Sequence, residues 1–372
     1  MFLNLFRKIL RKSYASLNKI EISRPVLVRN YQALSRIASL RIAPVLKSNA
    51  YGHGIREVGA MLDAYRPPFF CVDSLYEGYE LLKEKVKTPI LIMGYVNPDN
   101  LRVKKLPFSY AVYDIETLRA IVRYQPHAGI HLFVDTGMNR EGIPVALFEN
   151  FLRDMPRARI EGLMSHLAYG GDPDHPFTRR QIDNFSVAKE TLNAWGIEPE
   201  WTHIAASSAI LISEKYKNKL GNLGRAGLAL YGISEKKGSV FPILRFSTTL
   251  VQVKSVKKGD RVGYDFSFVA ERDMKIGVLP AGYNDGVDLR LSGRGGVSIR
   301  RRQCPYVGRI SMNLSVVDVS AIPDAHPGDE VVIFSHHEED ENSVLSSARI
   351  CETIPYELLV HLHPSTRRIP VL

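Results

Sequence analysis

The stretch Val45-Leu46-Lys47-Ser48-Asn49-Ala50-Tyr51-Gly52-His53-Gly54 ends an apolar run with one lysine and a glycine-punctuated turn. Residues Ile42 to Leu46 are typical of a buried parallel strand. A lysine at the C-terminal end of such a strand is either solvated at the rim or desolvated for a purpose. Desolvation lowers the pKa of a lysine and frees its lone pair, as formation of a Schiff base requires. Since strands commonly end in solvated charge, the rest of the sequence has to decide between the two.

Short apolar runs recur from about residue 40 to 232, and helix-compatible stretches such as Ser74 to Lys85 and Arg179 to Trp195 lie between them. Their spacing of roughly 20 to 40 residues fits a strand followed by a crossover helix, which a parallel sheet demands. Eight such units predict an α/β fold, a closed (β/α)8 barrel of the TIM type rather than an open sheet. The runs are Ile42 to Leu46, Phe69 to Val72, Ile90 to Met93, Tyr110 to Tyr113, Ile130 to Val134, Ile160 to Met164, Trp201 to Ile204 and Leu223 to Leu230.

The pattern changes after Tyr231-Gly232, where short apolar segments are separated by Gly, Pro and Asp turns. We predict a mostly β second domain there and place the boundary near residue 240. Residues 16–240 then form the barrel and residues 241–372 the C-terminal domain. The predicted strands of the second domain are Thr248 to Lys254, Arg261 to Tyr264, Lys275 to Leu279, Val297 to Ile299, Leu314 to Val319 and Glu330 to Phe334.

The composition of the 372 residues is that of an ordinary globular enzyme. The net charge of +10 is spread along the chain without an aromatic-interleaved basic stripe, so we expect no nucleic-acid partner. No segment reaches the length of a membrane span. The three cysteines, Cys71, Cys304 and Cys351, are widely separated and lack metal-ligand spacing. We therefore expect neither a disulfide framework nor a metal site, which suits a reducing cytoplasm.

Residues 1–15 form a separate arm in which Phe2 to Lys12 is apolar first and basic second. No small-residue cleavage site follows, so the arm is not predicted to be a signal peptide. As a helix it would be amphipathic. We favour an arm docked on the protein's own surface over a role at a membrane surface.

Polar residues follow several of the predicted barrel strands, at the ends where barrel enzymes place their reactive groups. Alone, His166 would be interpreted as a structural histidine and Arg140 as a surface ion-pair partner. Convergence on one rim instead predicts a site for an anionic cofactor, in which Gly227 exposes backbone N–H groups to a phosphate. The rim residues are Lys47 with Tyr51, Asp135 with Arg140, His166, Ser207, and Arg225 with Gly227.

Further motifs extend this pattern through both predicted domains. They are Val45 to Gly54, Val134 to Arg140, Met164 to His166, His203 to Ser207, Arg225 to Gly232, Val262 to Tyr264, Ala281 to Gly286 and Gly308 to Asn313. In this order, and over the chain from roughly Asn18 to the C-terminus, they resemble the alanine racemases.

The resemblance implies two catalytic bases and a cofactor. Lys47 would hold pyridoxal phosphate and serve as the base on one face of the substrate Cα, with Tyr264 on the opposite face. Racemisation needs a base on each face, because one proton leaves and another arrives on the other side. In this family the tyrosine belongs to the partner subunit, so a homodimer with two shared sites is implied. A tyrosine with a pKa of about 10 needs nearby positive charge or donated hydrogen bonds to act at neutral pH, and His166, Arg225 and His203 resemble the polar chain that supplies them.

The same resemblance implies how the cofactor is held. Arg225 would face the pyridine nitrogen, where a guanidinium releases no proton, so the ring remains a weak electron sink. An ordinary ion pair is the alternative for Arg225, a core aromatic for Tyr51 and a helix N-cap for Ser207. The phosphate would be held by Tyr51, Ser207 and backbone N–H groups around Gly227 and Leu228.

The substrate amino acid would be bound by residues of both subunits. Arg140 and the backbone N–H of Met312 from the partner would meet its carboxylate. Tyr283 would narrow the entrance and favour a small side chain, and its alternative is an ordinary strand aromatic.

Three positions depart from the family pattern. Many members carry a carbamylated lysine whose negative charge orients the arginine, and this chain has Phe133 there. An apolar ring cannot bond a guanidinium, so Arg140 must find another partner such as a bound anion, or be less fixed. Asn313 stands where aspartate is common, and His363-Pro364-Ser365 stands where some members place a tyrosine near the phosphate. These changes affect substrate affinity and preference rather than the catalytic pair.

We interpret the sequence as that of a racemase that interconverts L-alanine and D-alanine and supplies D-alanine for bacterial peptidoglycan. A racemase of the same fold that acts on serine or a broader set of amino acids is the alternative, because of Phe133. The Tyr264 and Arg225 motifs argue against a decarboxylase on a related barrel. A non-catalytic pyridoxal phosphate binder could consist of the barrel alone, so the Tyr264 motif in the second domain favours catalysis.

Overall fold

The computed structural model of the protein describes residues 16–234, 236 and 238–372, and within these residues eight short parallel strands form a barrel. The predicted arm, residues 1–15, lies outside the described residues. The barrel strands are, in order, Arg41–Pro44, Phe70–Val72, Ile90–Ile92, Phe108–Val112, Ile130–Asp135, Ile160–Met164, Trp201–His203 and Leu223–Ala226. Each falls on one of the eight predicted runs, and the predicted (β/α)8 architecture is confirmed.

The barrel closes because its eighth strand pairs with its first, in parallel, from Leu223 beside Arg41 onwards. The second to seventh strands pair side by side in chain order. Single bridges complete the circle, Val45 with Cys71 and Ala205 with Gly224. All eight C-terminal strand ends therefore meet at one rim.

Helices connect the strands on the outside of the barrel, and several begin with a side-chain cap. Ser74 Oγ accepts from the N–H of Glu77 at 3.3 Å, and Asp114 Oδ1 accepts from the N–H of Thr117 at 2.7 Å. The helices are Ile55–Asp63, Leu75–Lys83, Ile115–Tyr124, Phe148–Asp154, Pro176–Ala194 and Ser207–Leu211, with shorter turns at Lys47–Tyr51, Pro98–Arg102, Val145–Leu147, Ser213–Tyr216 and Leu228–Tyr231. The short strand Ile143–Pro144 pairs with the fifth barrel strand.

The helix Arg24–Ile37 precedes the first barrel strand and is tied to the segment that leaves the eighth. Its fully buried Asn30 donates through Nδ2 to the carbonyl oxygens of Leu230, at 3.1 Å, and Phe241, at 2.7 Å. The Asn30 Oδ1 accepts from the N–H of Phe241 at 2.9 Å. One side chain thus joins the start of the barrel to the connection between the domains.

The second domain contains a six-stranded sheet that includes a strand from the start of the chain. Lys19–Ser23 lies antiparallel to Leu244–Thr249 and parallel to Arg367–Val371. The barrel segment therefore begins and ends at this sheet. Its strand order is Arg302–Pro305, Gly296–Ile299, Glu330–Phe334, Leu244–Thr249, Lys19–Ser23, Arg367–Val371.

The rest of the second domain is a smaller sheet, a hairpin and short helices. The smaller sheet contains Gln252–Val256, Met274–Leu279 and Ser315–Asp318, and the hairpin pairs Arg261–Val262 with Phe268–Val269. Short turns lie at Tyr264–Phe266, Tyr283–Asp285 and Leu289–Leu291, and the helices are Val344–Ile350 and Pro355–Val360. Among the described residues, no helix combines the length and the apolar character needed to cross a bilayer.

The single strand predicted over Thr248 to Lys254 is wrong, because two strands of different sheets occupy this segment. The chain changes sheets at Leu250, which is buried. The N–H of Leu250 donates to Asp329 O and its carbonyl accepts from the N–H of Gly328, both at 2.9 Å. The apolar run continues through this bend, so composition gave no signal for it.

We expect Asn30→Ala to lower the free energy of unfolding by about 2 to 4 kcal/mol, because it leaves buried carbonyl groups without a donor. Denaturant unfolding followed by circular dichroism measures the change. The matched control is Asn100→Ala, at an exposed position in Pro98–Arg102, which should change stability by less than about 0.5 kcal/mol. Equal effects of the two substitutions would contradict the role given to Asn30.

Candidate active site

The turn that begins at Lys47 is left-handed. Ser48, Asn49, Ala50 and Tyr51 have φ between 52° and 54°, and none of them is a glycine. This conformation costs roughly 1–2 kcal/mol per residue, so the turn as a whole costs on the order of 4 to 8 kcal/mol. A strained backbone of this kind persists only when contacts with the surrounding structure stabilise it.

Contacts from within the turn and its continuation hold this conformation. Asn49 Oδ1 accepts from the N–H of Ile55 at 2.9 Å. The ring of His53, which is buried, places Nδ1 3.0 Å from Ala50 O and 2.9 Å from Tyr51 O. Since both partners are carbonyl oxygens, the His53 Nδ1 carries the proton.

Contacts from distant parts of the chain hold the turn as well. Arg368 of the last strand donates to Gly52 O through Nε at 3.1 Å and through Nη2 at 2.9 Å. A Cβ at Gly52 would lie 1.9 Å from Leu359 O, and the φ of Gly52 is +81°. The second domain is therefore packed directly against the lysine turn, and only glycine fits at the contact.

Lys47 itself lies at the rim with its side chain 38% exposed. Its Nζ is 4.0 Å from Asp73 Oδ1, which follows the second barrel strand. In the single chain the amine is therefore half-buried, and the full desolvation considered from the sequence is not observed. An acidic side chain beside the amine was not foreseen.

Arg225 is buried at the end of the eighth strand and is bonded without any carboxylate partner among the described residues. Its Nη1 lies 2.5 Å from His203 Nδ1, and its Nη2 donates to Ser165 O at 2.6 Å. Nη2 also lies 3.2 Å from His166 Nδ1. The ordinary ion pair considered for Arg225 is thus not formed. Burial lowers the pKa of Arg225 to about 10, which leaves the guanidinium charged at neutral pH.

A line of histidines continues from Arg225 through the barrel interior. His203 Nε2 lies 2.8 Å from His131 Nδ1, and His131 Nε2 lies 3.7 Å from Glu161 Oε2, outside hydrogen-bond distance. Because a guanidinium can only donate, His203 Nδ1 must accept, so His203 Nε2 carries the proton and donates to His131. Burial lowers the pKa of both His203 and His131, which keeps the two rings neutral.

The same constraint fixes the protonation of His166. Its Nδ1 accepts from Arg225, so a neutral His166 carries its proton on Nε2. Burial first, and then the charges of Arg225, Arg140 and Lys47, lower the pKa of His166 to about 3. At neutral pH the ring therefore remains uncharged and can donate one hydrogen bond through Nε2.

Ser207 lies across from the segment that follows the eighth strand. Its Oγ accepts from the N–H groups of Gly227 and Ala229, each at 3.1 Å, and makes no capping bond to its own helix. The alternative of Ser207 as a helix N-cap is therefore not observed. A Cβ at Gly227 would lie 2.7 Å from Tyr51 Oη, so a side chain there would fill this space. Burial raises the pKa of Tyr51 to about 12, which keeps its phenol protonated.

Arg140 is exposed and pairs with its neighbour Glu141. Its Nη2 donates to Glu141 Oε1 at 2.7 Å, and its Nε contacts Oε2. Phe133 is buried with Ala111 and Met164 in an apolar cluster, and its ring has no group that could bond the Arg140 guanidinium. The charged partner that the sequence left open is thus Glu141 in this structure.

The site residues predicted in the second domain are exposed in the single chain. Tyr264 is 68% exposed and Met312 is 56% exposed. The N–H of Tyr283 donates to Ser311 O at 3.0 Å, so Tyr283 and Met312 lie close together. Among the described residues, no hydrogen bond or ion pair joins Tyr264, Tyr283 or Met312 to Lys47. Hydrogen bonds within the single chain thus join Arg225 with His166 and Ser207 with Gly227, whereas none joins these three residues to Lys47.

Sequence reasoning missed five residues. His131 belongs to the line of histidines and Glu161 lies near its end, and Lys47 or the turn after it is contacted by Asp73, Glu77 and Arg368. A histidine inside the apolar strand Ile130–Asp135 was a signal for His131, because a buried polar side chain in a strand needs a partner. Glu77 and Arg368 occur in ordinary helix and strand contexts, and only the folded chain shows what they contact.

These features define a two-domain barrel protein. At one rim of its barrel lie a lysine, Lys47, a buried arginine, Arg225, and the backbone segment at Gly227 and Leu228. Residues 22–235 match the family described as "Alanine racemase, N-terminal domain", and residues 243–370 match "Alanine racemase, C-terminal domain". The chain therefore belongs to the alanine racemase family and is an enzyme of the isomerase class, a racemase. The family resemblance inferred from the motifs is confirmed.

Relatives of this chain match it over almost its whole length. "Alanine racemase 1" of Caldanaerobacter subterraneus subsp. tengcongensis is 32% identical over 95% of this chain and 93% of its own length. The alanine racemase of Sorangium cellulosum is 33% identical over 88% of this chain and 89% of its own. Among solved structures, the alanine racemase of Clostridium difficile 630 superposes with a TM-score of 0.88 at 25% identity, covering 96% of this chain and 97% of that one.

We expect the stability of the protein to fall on acidification partly because of His53. Burial lowers the pKa of His53 to about 4. Between about pH 6.5 and pH 4 the unfolded state therefore binds a proton at His53 that the folded state does not bind. The contribution of neutral His53 to the free energy of unfolding is complete above about pH 6.5 and is lost as the pH falls towards 4. His53→Gln should therefore reduce the slope of unfolding free energy against pH by up to about 1.4 kcal/mol per unit in this window.

Urea unfolding at several pH values from 7 to 4 measures this slope. The control is His127→Gln, which replaces an exposed histidine. An unchanged slope in His53→Gln would show that His53 is protonated equally in both states.

Proposed function

We propose that this enzyme interconverts L-alanine and D-alanine with pyridoxal phosphate as cofactor. The observation that carries the proposal is the convergence at one rim of Lys47, of Arg225 bonded to His166, and of Ser207 bonded to the segment at Gly227. Relatives of which this chain covers about nine-tenths are alanine racemases, which supports the same substrate.

The residues present fit pyridoxal phosphate. Lys47 offers an amine at the rim, and Gly227 leaves a space beside Tyr51 Oη that any Cβ would fill. The backbone N–H of Leu228, which follows Gly227, and the hydroxyls of Ser207 and Tyr51 are donors of the kind that phosphate binds. Tyr51, Ser207, Gly227 and Leu228 would hold the phosphate, and Arg225 and His166 would lie beside the ring.

When bound, the cofactor supplies an electron sink for the charge that develops at the substrate Cα. Arg225 limits that sink, because a guanidinium that remains charged donates a hydrogen bond but gives up no proton. His203 and His131 keep Arg225 in place through their fixed tautomers. A restrained sink favours return of a proton to Cα over side reactions.

Two bases on opposite faces of Cα would move the proton. Lys47 serves one face, and we assign the other to Tyr264 of the partner subunit in a homodimer. The exposure of Tyr264, Tyr283 and Met312 in the single chain supports their use by a second copy. The Nε2 proton of His166 is available to a tyrosine oxygen there, and would favour its deprotonated form.

We propose that the substrate carboxylate is bound by Arg140 and by the backbone N–H of Met312 of the partner subunit. Tyr283 would narrow the entrance. The pairing of Arg140 with Glu141, together with an apolar residue at position 133, supports a second candidate, a racemase that also accepts serine or other amino acids. The product D-alanine would serve peptidoglycan synthesis in the bacterial cytoplasm.

Shared sites predict that two inactive variants restore each other. Lys47→Ala and Tyr264→Ala should each lose nearly all activity, because each removes one base from every site. In a mixed dimer one site carries both defects and the other carries none. Mixing equal amounts after dissociation and reassociation should therefore return about one quarter of the wild-type rate, measured by polarimetry.

Each variant mixed with itself is the control, and it should remain inactive. No recovery in a mixture shown to contain mixed dimers would mean that Lys47 and Tyr264 act within one chain or that one of them is not a base.

We expect kcat/KM for alanine to exceed that for serine by about tenfold or more, because in the proposed site Tyr283 would leave little room beyond a methyl group. Single enantiomers of alanine, serine and larger amino acids, each followed by polarimetry, test this. If serine is turned over as fast as alanine or faster, the proposed alanine racemase would give way to the second candidate, a racemase that also accepts serine or other amino acids. Turnover of no amino acid by protein loaded with the cofactor would contradict both.

A further inference from the structure

Glu77 makes contacts that its sequence position does not predict. With Ser74 it forms the pattern Ser-x-x-Glu at the start of the helix Leu75–Lys83. In a capping box, the glutamate would accept from the backbone N–H of the serine. Here the Glu77 Oε2 accepts instead from the N–H of Asp73 at 2.8 Å, and its Oε1 accepts from the N–H of Ser48 at 2.5 Å.

The second of these bonds reaches the lysine turn. Ser48 directly follows Lys47 and is the first of the residues with left-handed φ. Glu77 lies 29 residues further along the chain, so the bond joins the ends of the first and second barrel strands. The other supports of the turn contact Asn49, Ala50, Tyr51 and Gly52, further from Lys47. Glu77 is thus the side chain that bonds the turn at Ser48, the residue next to the lysine.

The chemistry of these bonds requires a carboxylate of this length. Each of its oxygen atoms accepts one backbone N–H, and both bonds are strengthened by the negative charge. A glutamine offers one oxygen and one NH2 group, so one of the two N–H groups would face a donor. An aspartate keeps the charge, but it is one methylene shorter.

We propose that Glu77 is a positioning residue for Lys47. By accepting from the N–H groups of Ser48 and Asp73, it fixes the left-handed turn and so holds the amine where the cofactor aldehyde arrives. This inference rests on the proposed function, in which Lys47 binds the cofactor. Glu77 touches neither the lysine side chain nor any reacting atom, and it acts through the backbone.

Two other roles for Glu77 predict different results. If only its negative charge near Lys47 matters, Glu77→Asp should behave as wild type. If only a negative charge in the first turn of a rim helix matters, Glu116→Gln should have the same effect as Glu77→Gln. Glu116 lies in the first turn of Ile115–Tyr124, which follows the fourth barrel strand, and it is exposed. No side-chain hydrogen bond or ion pair of Glu116 is present among the described residues.

The experiment measures cofactor binding and covalent attachment rather than activity. Full-length wild type, Glu77→Gln, Glu77→Asp and Glu116→Gln are stripped of cofactor and titrated with pyridoxal phosphate, with visible absorbance giving the dissociation constant. Borohydride reduction followed by peptide mapping gives the rate of labelling at Lys47. Far-UV circular dichroism checks that each variant is folded.

Loss of one charge-assisted bond should weaken binding and slow labelling at Lys47 by about tenfold in both Glu77 variants. Glu116→Gln should remain within about twofold of wild type. Three results would overturn the inference and leave the proposed function standing. Both Glu77 variants could be folded and bind the cofactor as wild type does, the defect could be confined to Glu77→Gln, or Glu116→Gln could show the same defect. Absence of label at Lys47 in wild type would instead overturn the proposed function, and this inference with it.

Discussion

The left-handed backbone that follows Lys47 is the constraint on which the site depends. Ser48 to Tyr51 occupy a conformation that non-glycine residues avoid, and no local sequence preference provides it. Besides the local bonds of Asn49 and His53, its stability comes from contacts with the helix after the second strand and with the C-terminal strand. The turn therefore has all of its supports only when the barrel is closed and the second domain is docked.

The second domain is thus more than an addition to the barrel. Its sheet includes the strand before the barrel, and its last strand carries Arg368. Among the described residues, the buried guanidinium of Arg368 donates only to backbone carbonyls. Burial lowers the pKa of Arg368 to about 10, so the charge persists and must remain hydrogen-bonded. Separating the domains would break these bonds and free the lysine turn, which couples domain docking to the geometry of the site.

A second buried cation organises the barrel interior. Arg225 can only donate, and that single property fixes which nitrogen carries the proton in His203, His131 and His166. The line of rings ends near Glu161, whose Oε1 and Oε2 contact Arg159 and Ser109 at the opposite end of the barrel. The electronic character proposed for the cofactor ring thus depends on residues well away from the rim.

Much of this protein follows from local sequence patterns. Buried parallel strands appear as short apolar runs, and parallel strands in a closed barrel must bring their C-terminal ends to one rim, so the order of residues alone assigns Lys47, Ser207 and Arg225 to one site. The roles of the second-domain residues Tyr264, Tyr283 and Met312 are predicted from motifs alone, and the single chain leaves them exposed. Apolar periodicity could not show where a strand changes sheets, as at Leu250.

Only the tertiary structure decided which distant groups meet. The bond from Glu77 to Ser48 spans 29 residues, and that from Arg368 to Gly52 spans 316. A sequence pattern records which side chains are buried and with what period, because both depend on neighbours along the chain. It does not record the partner of a charged side chain, since that partner is set by how the strands close and how the domains dock.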